Sequence, residues 1–210
     1  MELLRLPRKD KEGHPYLSYS QMNKFLTDID GFVETYIEGK PWEGNAYTDF
    51  GSKVGEALEV GDFSKFSERE QRVLKGVPRG EIFEREVRLN YNGFYVKGFV
   101  DTASHDLKRI TDYKTGGKKK EFQYQQPKYT QLALYALSIR QEKGFVPEKA
   151  DVIFLRRDGN AFKGETLTLA SEPCQTLDVD ISLPRLLDVY DETLEIAYQM
   201  EEFCRQFKNI

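Results

Sequence analysis

Asp112 and Lys114 stand two positions apart in the stretch ITDYKTGGKKK, an acid and a base in an apolar setting that then opens into glycines and three lysines. Side chains at that spacing share one side of an extended strand, roughly 6.6 Å apart. A second acid, Asp101, precedes them in GFVDTASHDLKRITDYK, which reads as a hairpin. A turn centred on His105 and Asp106 sets Asp101 opposite Ile110 and Asp112 opposite Phe99, so the two aspartates are diagonal neighbours about 7 Å apart. Two carboxylates at that separation can hold one divalent cation, with Lys114 beside it. The chemistry such a group supports is hydrolysis of a phosphodiester: the cation neutralises the phosphate and acidifies bound water, and the ammonium stabilises developing charge. An all-oxygen donor set selects Mg²⁺ or Mn²⁺. Taken alone, the triplet describes a solvated strand face with a turn-initiating Asp101 equally well.

The rest of the composition narrows the choice. The chain has 210 residues, 39% hydrophobic and 13% aromatic, enough for a substantial core and suited to one domain spanning 1–210. Its two cysteines, Cys174 and Cys204, are too few for an iron-sulfur cluster or a thiolate zinc site, and His14 and His105 both read as solvent-facing. No run of 18 apolar residues occurs and the first 15 residues are charged, so neither a membrane span nor a secretory signal is read and a cytoplasmic location is expected. A net charge of −4 excludes a protein that coats nucleic acid through its overall field but not a local basic patch.

Those residues need elements to hold them. LSYSQMNKFLTDIDGFVETYIEGK predicts an amphipathic helix capped near Ser18 or Ser20 and broken near Asp30-Gly31. TDFGSKVGEALEV predicts a second helix from about Thr48, and SEREQRVLKGV a third with Ser67 and Glu70 in a capping box. From Ile82 the pattern alternates through three antiparallel strands, with a turn at Asn92-Gly93. A helix from about Lys128 to Gly144, strands in ADVIFLRR and GETLTLA, and a long terminal helix complete the order. Segregated helices and mixed strands indicate α+β or a mixed-sheet α/β architecture. Trp42 reads as a packing anchor, and the last helix offers a stripe of Leu183, Leu187, Tyr190, Leu194, Ala197 and Cys204 for its own sheet or for a partner.

Gly98 to Asp101, then Asp112 to Lys114, then Gln131 and Tyr135 follow the order G-x-x-D, D-x-K and Q-x-x-x-Y. This resembles the PD-(D/E)xK nuclease superfamily, specifically its RecB-type and phage exonuclease branch. The resemblance runs from about Leu17 to Tyr135. LSYSQMNKFL looks like the serine-led helix that opens these domains, and FGSKVGEALE like their glycine-led metal-site helix. It implies a restriction-endonuclease-like core αβββαβ and Mg²⁺-dependent DNA cleavage, with ligation by Asp101, Asp112 and the Tyr113 carbonyl. Gln131 and Tyr135, which share a helix face, would approach the catalytic lysine and the nucleic-acid strand. One position departs: where the family usually has a histidine four residues after the glycine matched by Gly51, this chain has Gly55. Glu59, one turn on, is the candidate replacement ligand, and Glu56 reads as surface.

The segment TGGKKKEFQYQQPKY is too polar for core. It reads either as a solvated loop or as a DNA-gripping one, with Lys118, Lys119, Lys120 and Lys128 on phosphates and Phe122, Tyr124 or Tyr129 stacked on bases. Arg85, Arg88, Arg156 and Arg157 could extend such a patch. The leading expectation is therefore a DNA exonuclease of repair, recombination or phage DNA processing, with DNA as partner and beyond it a second copy of the chain or other DNA-processing proteins. The alternatives are an inert nuclease-fold module that binds DNA without cutting it and a scaffold or virion-associated protein.

Overall fold

The computed structural model describes residues 3–124 and 129–207, with the side chains of 119, 121 and 122 left aside. The elements are β1 (Tyr16–Leu17), α1 (Tyr19–Thr27), α2 (Ile29–Phe32) running into a π-helical turn (Val33–Ile37), α3 (Ala46–Val60), α4 (Glu68–Lys75), β2 (Ile82–Tyr91), β3 (Phe94–Ala103), β4 (Arg109–Gly116), a 3₁₀ turn (Lys118–Gln123), α5 (Gln131–Lys143), β5 (Lys149–Asp158), β6 (Thr168–Leu169), β7 (Gln175–Asp178) and α6 (Leu183–Cys204). The mixed α/β architecture matches the expected restriction-endonuclease-like arrangement.

Local chemistry explains most boundaries. Ser18 caps α1 through a box with Gln21, and Ser67 caps α4 through one with Glu70. The break in the first helix falls at Asp28 rather than at Asp30-Gly31, because the Asp28 carboxylate accepts from the Gly31 N–H and starts α2. Helix α3 begins at Ala46, two residues before the expected Thr48, since the Asn45 side chain accepts from both Tyr47 and Thr48 N–H groups. GETLTLA supplies only the two-residue β6, and the edge strands β1 and β7 have no counterpart in the predicted order. Trp42 is exposed rather than an anchor. On α6 the buried stripe is Leu186, Val189, Thr193, Ala197, Met200 and Cys204, while Leu183 and Leu187 face outward.

Two apolar cores lie against the sheet. One joins Val87, Leu89, Val96 and Val100 of β2 and β3 to α1, α5 and α6, and the other joins Ile153 and Leu155 of β5 to α3 and α4. Strand β5 alternates between them, which is why VIFL is continuously apolar. Complete burial of a leucine such as Leu58 or Leu132 contributes about 1.5–3 kcal/mol.

The sheet order is β1-β3-β4-β5-β6, with β2 on β3 and β7 on β5. Strand β2 pairs with β3 along its whole length, so β1 and β4 share the other edge. There β1 runs parallel to β3 at Tyr95 and Val96, and β4 runs antiparallel to it only at Thr102 and Ala103. The β1 ladder ends with the Lys97 N–H on the Leu17 carbonyl, and residues 98–101 of that edge have no strand partner among the described residues, so the sheet carries a gap between β1 and β4.

The hairpin register differs from expectation by two residues: Thr102 pairs with Thr111 and Ala103 with Ile110. The turn is longer because Leu107 takes a left-handed conformation (φ 60°), while the Ser104 hydroxyl accepts from Arg109 N–H and the Asp106 carboxylate from Lys108 N–H. Asp112 therefore lies level with Asp101 rather than with Phe99. A shift of two preserves which side chains share a face.

Two glycines test this packing. A methyl at Gly98 would overlap the Tyr135 ring, whereas one at Gly55 meets nothing within 4 Å. Urea denaturation should show Gly98→Ala destabilised by about 1–3 kcal/mol and Gly55→Ala, in mid-helix, stabilised by up to about 1 kcal/mol.

Candidate active site

Asp112 has no solvent exposure, and a buried carboxylate has to be met by donors. Its Oδ2 lies 2.6 Å from Lys114 Nζ and accepts from the Tyr129 hydroxyl at 2.7 Å. Gln131 Nε2 reaches its Oδ1 at 3.4 Å and also donates to the Tyr135 hydroxyl at 2.9 Å. The Tyr129 hydroxyl is 2.7 Å from Gln131 Oε1 as well, so one proton faces two acceptors. Lys114 therefore clamps Asp112 directly instead of standing a strand step away from it. Gln131 and Tyr135, one turn apart at the start of α5, present their polar ends together. Gly98 is what allows the Tyr135 ring against β3.

Asp101 is held differently. Its Oδ2 accepts from the Tyr113 main-chain N–H at 2.8 Å. The carboxylate thus takes the place of the β3 backbone once the β3-β4 ladder has ended at Thr102. An extended residue turns its N–H and C=O to the same side, which places the Tyr113 carbonyl on the Asp101 side of β4. Burial and the charge of Asp112 push the Asp101 carboxyl up to about 8, against the opposing pull of Lys114 and the Tyr113 N–H. Burial alone would lower the Lys114 ammonium, but Asp112 and Asp101 outweigh it and raise it above the ordinary lysine value. Burial, with Asp112 nearby, carries the Tyr129 phenol well above its usual range and the Tyr135 phenol up to about 12.

Glu84 joins this group without any sequence signal. It lies on β2 between Phe83, paired with Thr102, and Arg85, paired with Val100, which sets it across from Asp101. Its backbone is left-handed (φ 47°), a conformation that disfavours a residue with a Cβ by about 1–2 kcal/mol. Burial raises its carboxyl, helped by the charges of Glu59 and Asp112. Glu59 is exposed near the end of α3 and bears on the site only through its charge acting on Glu84, while Glu56 lines a separate surface depression with Lys53 and Phe66.

The site opens into a cleft of about 600 Å³ lined by Lys114, Gln131, Tyr135, Lys97, Phe99 and Arg8, together with residues 16, 18, 19, 20 and 98. The expected lysine patch is elsewhere: Lys118 and Lys120 are exposed on the 3₁₀ turn and do not line this cleft. Lys128 and the Lys119 side chain lie outside the described residues, as does the Phe122 side chain. Tyr129 is buried against Asp112 rather than free to stack, and Tyr124 packs on Tyr129 and Phe154. Arg85, Arg88 and Arg156 are paired with Glu142, Glu86 and Glu172, and Arg157 lies over the Tyr47 ring. The basic lining comes instead from Arg8 and from Lys97, itself paired with Glu86 at 2.9 Å; only the pairing of β1 with β3 brings these two cations near Lys114.

A second acidic group, Asp10, Glu12 and His14, has ligand atoms within 4.8 Å of one another. It is a surface turn in which Asp10 accepts from the Glu12 and His14 N–H groups and from the Tyr95 hydroxyl.

Residues 59–206 match the model of the PD-(D/E)XK nuclease superfamily, more than half of the chain. The chain belongs to this superfamily. The chemistry of that class is hydrolysis of nucleic acids. The fold agrees: a candidate exonuclease from Eubacterium rectale superposes with a TM-score of 0.56 over 90% of this chain and 84% of its own, at 13% identity. A phage-related exonuclease from Haemophilus somnus covers 98% of this chain and 96% of its own at 14% identity, with a TM-score of 0.42. No curated protein matches.

Removing Lys114 leaves the Asp112 charge buried with only neutral donors. Lys114→Met should lower stability by about 3–5 kcal/mol in urea, and Asp112→Asn combined with it should cost much less than the sum of the two single changes. Equal additive losses would show that the two groups are not coupled.

Proposed function

We infer that this protein is a metal-dependent deoxyribonuclease, acting from DNA ends in repair, recombination or phage DNA processing. The observation that carries the reading is the Asp112 carboxylate, fully buried, level with Asp101 and clamped by Lys114, which lines an open cleft with Gln131 and Tyr135. The donor set fits a hard divalent cation such as Mg²⁺ or Mn²⁺: two carboxylates and the Tyr113 carbonyl, all oxygen, with Asp101 holding a proton that a cation would replace. Glu84, level with Asp101, is a further carboxylate beside this set, and the charge of Glu59 acts on it, while the superfamily's usual histidine is replaced by Gly55. When bound, such a cation neutralises phosphate charge and acidifies water.

The chain's own groups divide the remaining work. Lys114 keeps its proton because Asp112 holds it, which suits it to stabilising charge on phosphorus rather than to taking a proton from water. Gln131 bridges Asp112 to the Tyr135 hydroxyl, and Tyr129 fixes the far side of the same carboxylate. These three residues hold the acid and the ammonium in one geometry.

Incubation with linear and circular DNA in Mg²⁺, Mn²⁺ or chelator tests the reading. Linear DNA should shorten only with metal, circular DNA should persist, and Asp112→Ala and Lys114→Ala should each lose about a hundredfold or more of the rate. Cleavage retained by both variants would discard the assignment. Gly55 favours a second reading, an inert module, which predicts DNA bound but uncut under every metal.

The acid pair also sets a pH dependence. Asp101, raised to about 8 in the fold from about 4 in the unfolded chain, makes the metal-free protein lose stability as pH rises through that interval. Uptake of Mg²⁺ at pH 7 should therefore release about one proton per ion, fading above pH 8. Calorimetry in buffers of different ionisation enthalpy measures this, and Asp101→Asn should show no release.

A further inference from the structure

The unpaired stretch of β3 lies at the mouth of the cleft. Tyr95 donates its N–H to the Pro15 carbonyl on the β1 side. The parallel β1 register gives the Lys97 N–H to the Leu17 carbonyl, and by strand alternation Phe99 is the next residue to turn its N–H and C=O to that same edge, into the gap between β1 and β4. An edge N–H of this kind can donate to an anion. The Phe99 side chain is 42% exposed at this edge, an uncommon setting for phenylalanine, with the Lys97 ammonium 5.2 Å from its ring centre. Arg8, across the cleft, has no acidic partner among the described residues, and its guanidinium sits over the Tyr36 ring. An aromatic face, the Arg8 guanidinium, the Lys97 ammonium, which Glu86 also holds at 2.9 Å, and the Phe99 edge N–H thus lead toward Lys114. A volume of about 600 Å³ falls in the range of sites that enclose one small molecule, roughly 300–1,000 Å³. A space of that size holds a nucleotide or two.

We propose that the gap is the entry path for single-stranded DNA, with Phe99 stacking on a base and Lys97 and Arg8 holding phosphates on either side of it. The proposal rests on the nuclease reading and names the strand state of its substrate. Stacking on an aromatic platform tolerates any base, so the path selects strand state and not sequence. A duplex has to present an overhang or frayed end to reach Asp112.

Fluorescence anisotropy with labelled single-stranded, blunt duplex and overhang oligonucleotides, in chelator, measures binding apart from cutting. The wild-type protein should bind the single strand at least tenfold more tightly than the blunt duplex. Phe99→Ala should weaken single-strand binding about tenfold with an unchanged melting temperature. Lys97→Ala and Arg8→Ala should each reduce the salt dependence by about one ion. With Mg²⁺, overhang substrates should be digested and blunt duplex spared. Equal binding of blunt duplex and single strand, or full single-strand binding by Phe99→Ala, overturns the proposal even if the protein cuts DNA. Single-strand preference that depends on Phe99, without cleavage under any metal, upholds the path and removes the nuclease reading instead.

Discussion

The burial of the Asp112 carboxylate governs the arrangement of everything near it. A charge with no access to water is tolerated only where donors replace its hydration. Here they come from Lys114 on β4, Tyr129 in the segment before α5 and Gln131 in the first turn of α5. The same contacts therefore fix how α5 lies against β4. A buried ion pair contributes little net stability compared with apolar packing, although breaking it is expensive. The apolar clusters on the two sides of the sheet hold the fold, and the Asp112 group holds the position of its reactive atoms.

The second constraint is the edge of β3. Because β2 occupies one side completely, β1 and β4 can attach to the other only at opposite ends. Asp101 sits where that edge changes hands. Its carboxylate bonds to the β4 backbone in place of a ladder partner, and the residue across from it, Glu84, is twisted into a left-handed conformation. Splayed strands and a strained residue set carboxylates from β2, β3 and β4 at one level of the sheet without closing it over them. Backbone strain of this kind concentrates where side-chain placement matters more than local stability.

The parts of this site legible in the sequence are those fixed by short-range periodicity. Asp112 and Lys114 share a strand face because they are two apart, Gln131 and Tyr135 share a helix face because they are four apart, and the Gly98 position is explained by the ring it accommodates. What depended on tertiary structure was misread or missed. The hairpin register slipped by two because Leu107, not a glycine or asparagine, takes the left-handed turn position. Tyr129 looked like a base-stacking residue because its neighbours are polar, yet it is buried under Asp112. The lysine run drew attention to charge density, whereas the cations that line the cleft, Arg8 and Lys97, are 89 positions apart in the numbering and meet only through the two-residue strand β1. Such a strand is too short to announce itself by alternation.

Charge balance connects these features to the proposed chemistry. Without metal, Asp101 keeps its proton near neutral pH while Asp112 and Lys114 offset each other, so these three central groups carry no net charge in a region poorly able to stabilise one. A divalent ion that displaces the Asp101 proton leaves the same groups with one net positive charge. A phosphodiester brings one negative charge, so substrate restores the balance that metal alone disturbs. Affinity for metal and for DNA should accordingly reinforce each other, and Lys114 is what sets the stoichiometry: with a neutral residue in its place, metal alone would balance the two aspartates and the phosphate would enter as an excess charge.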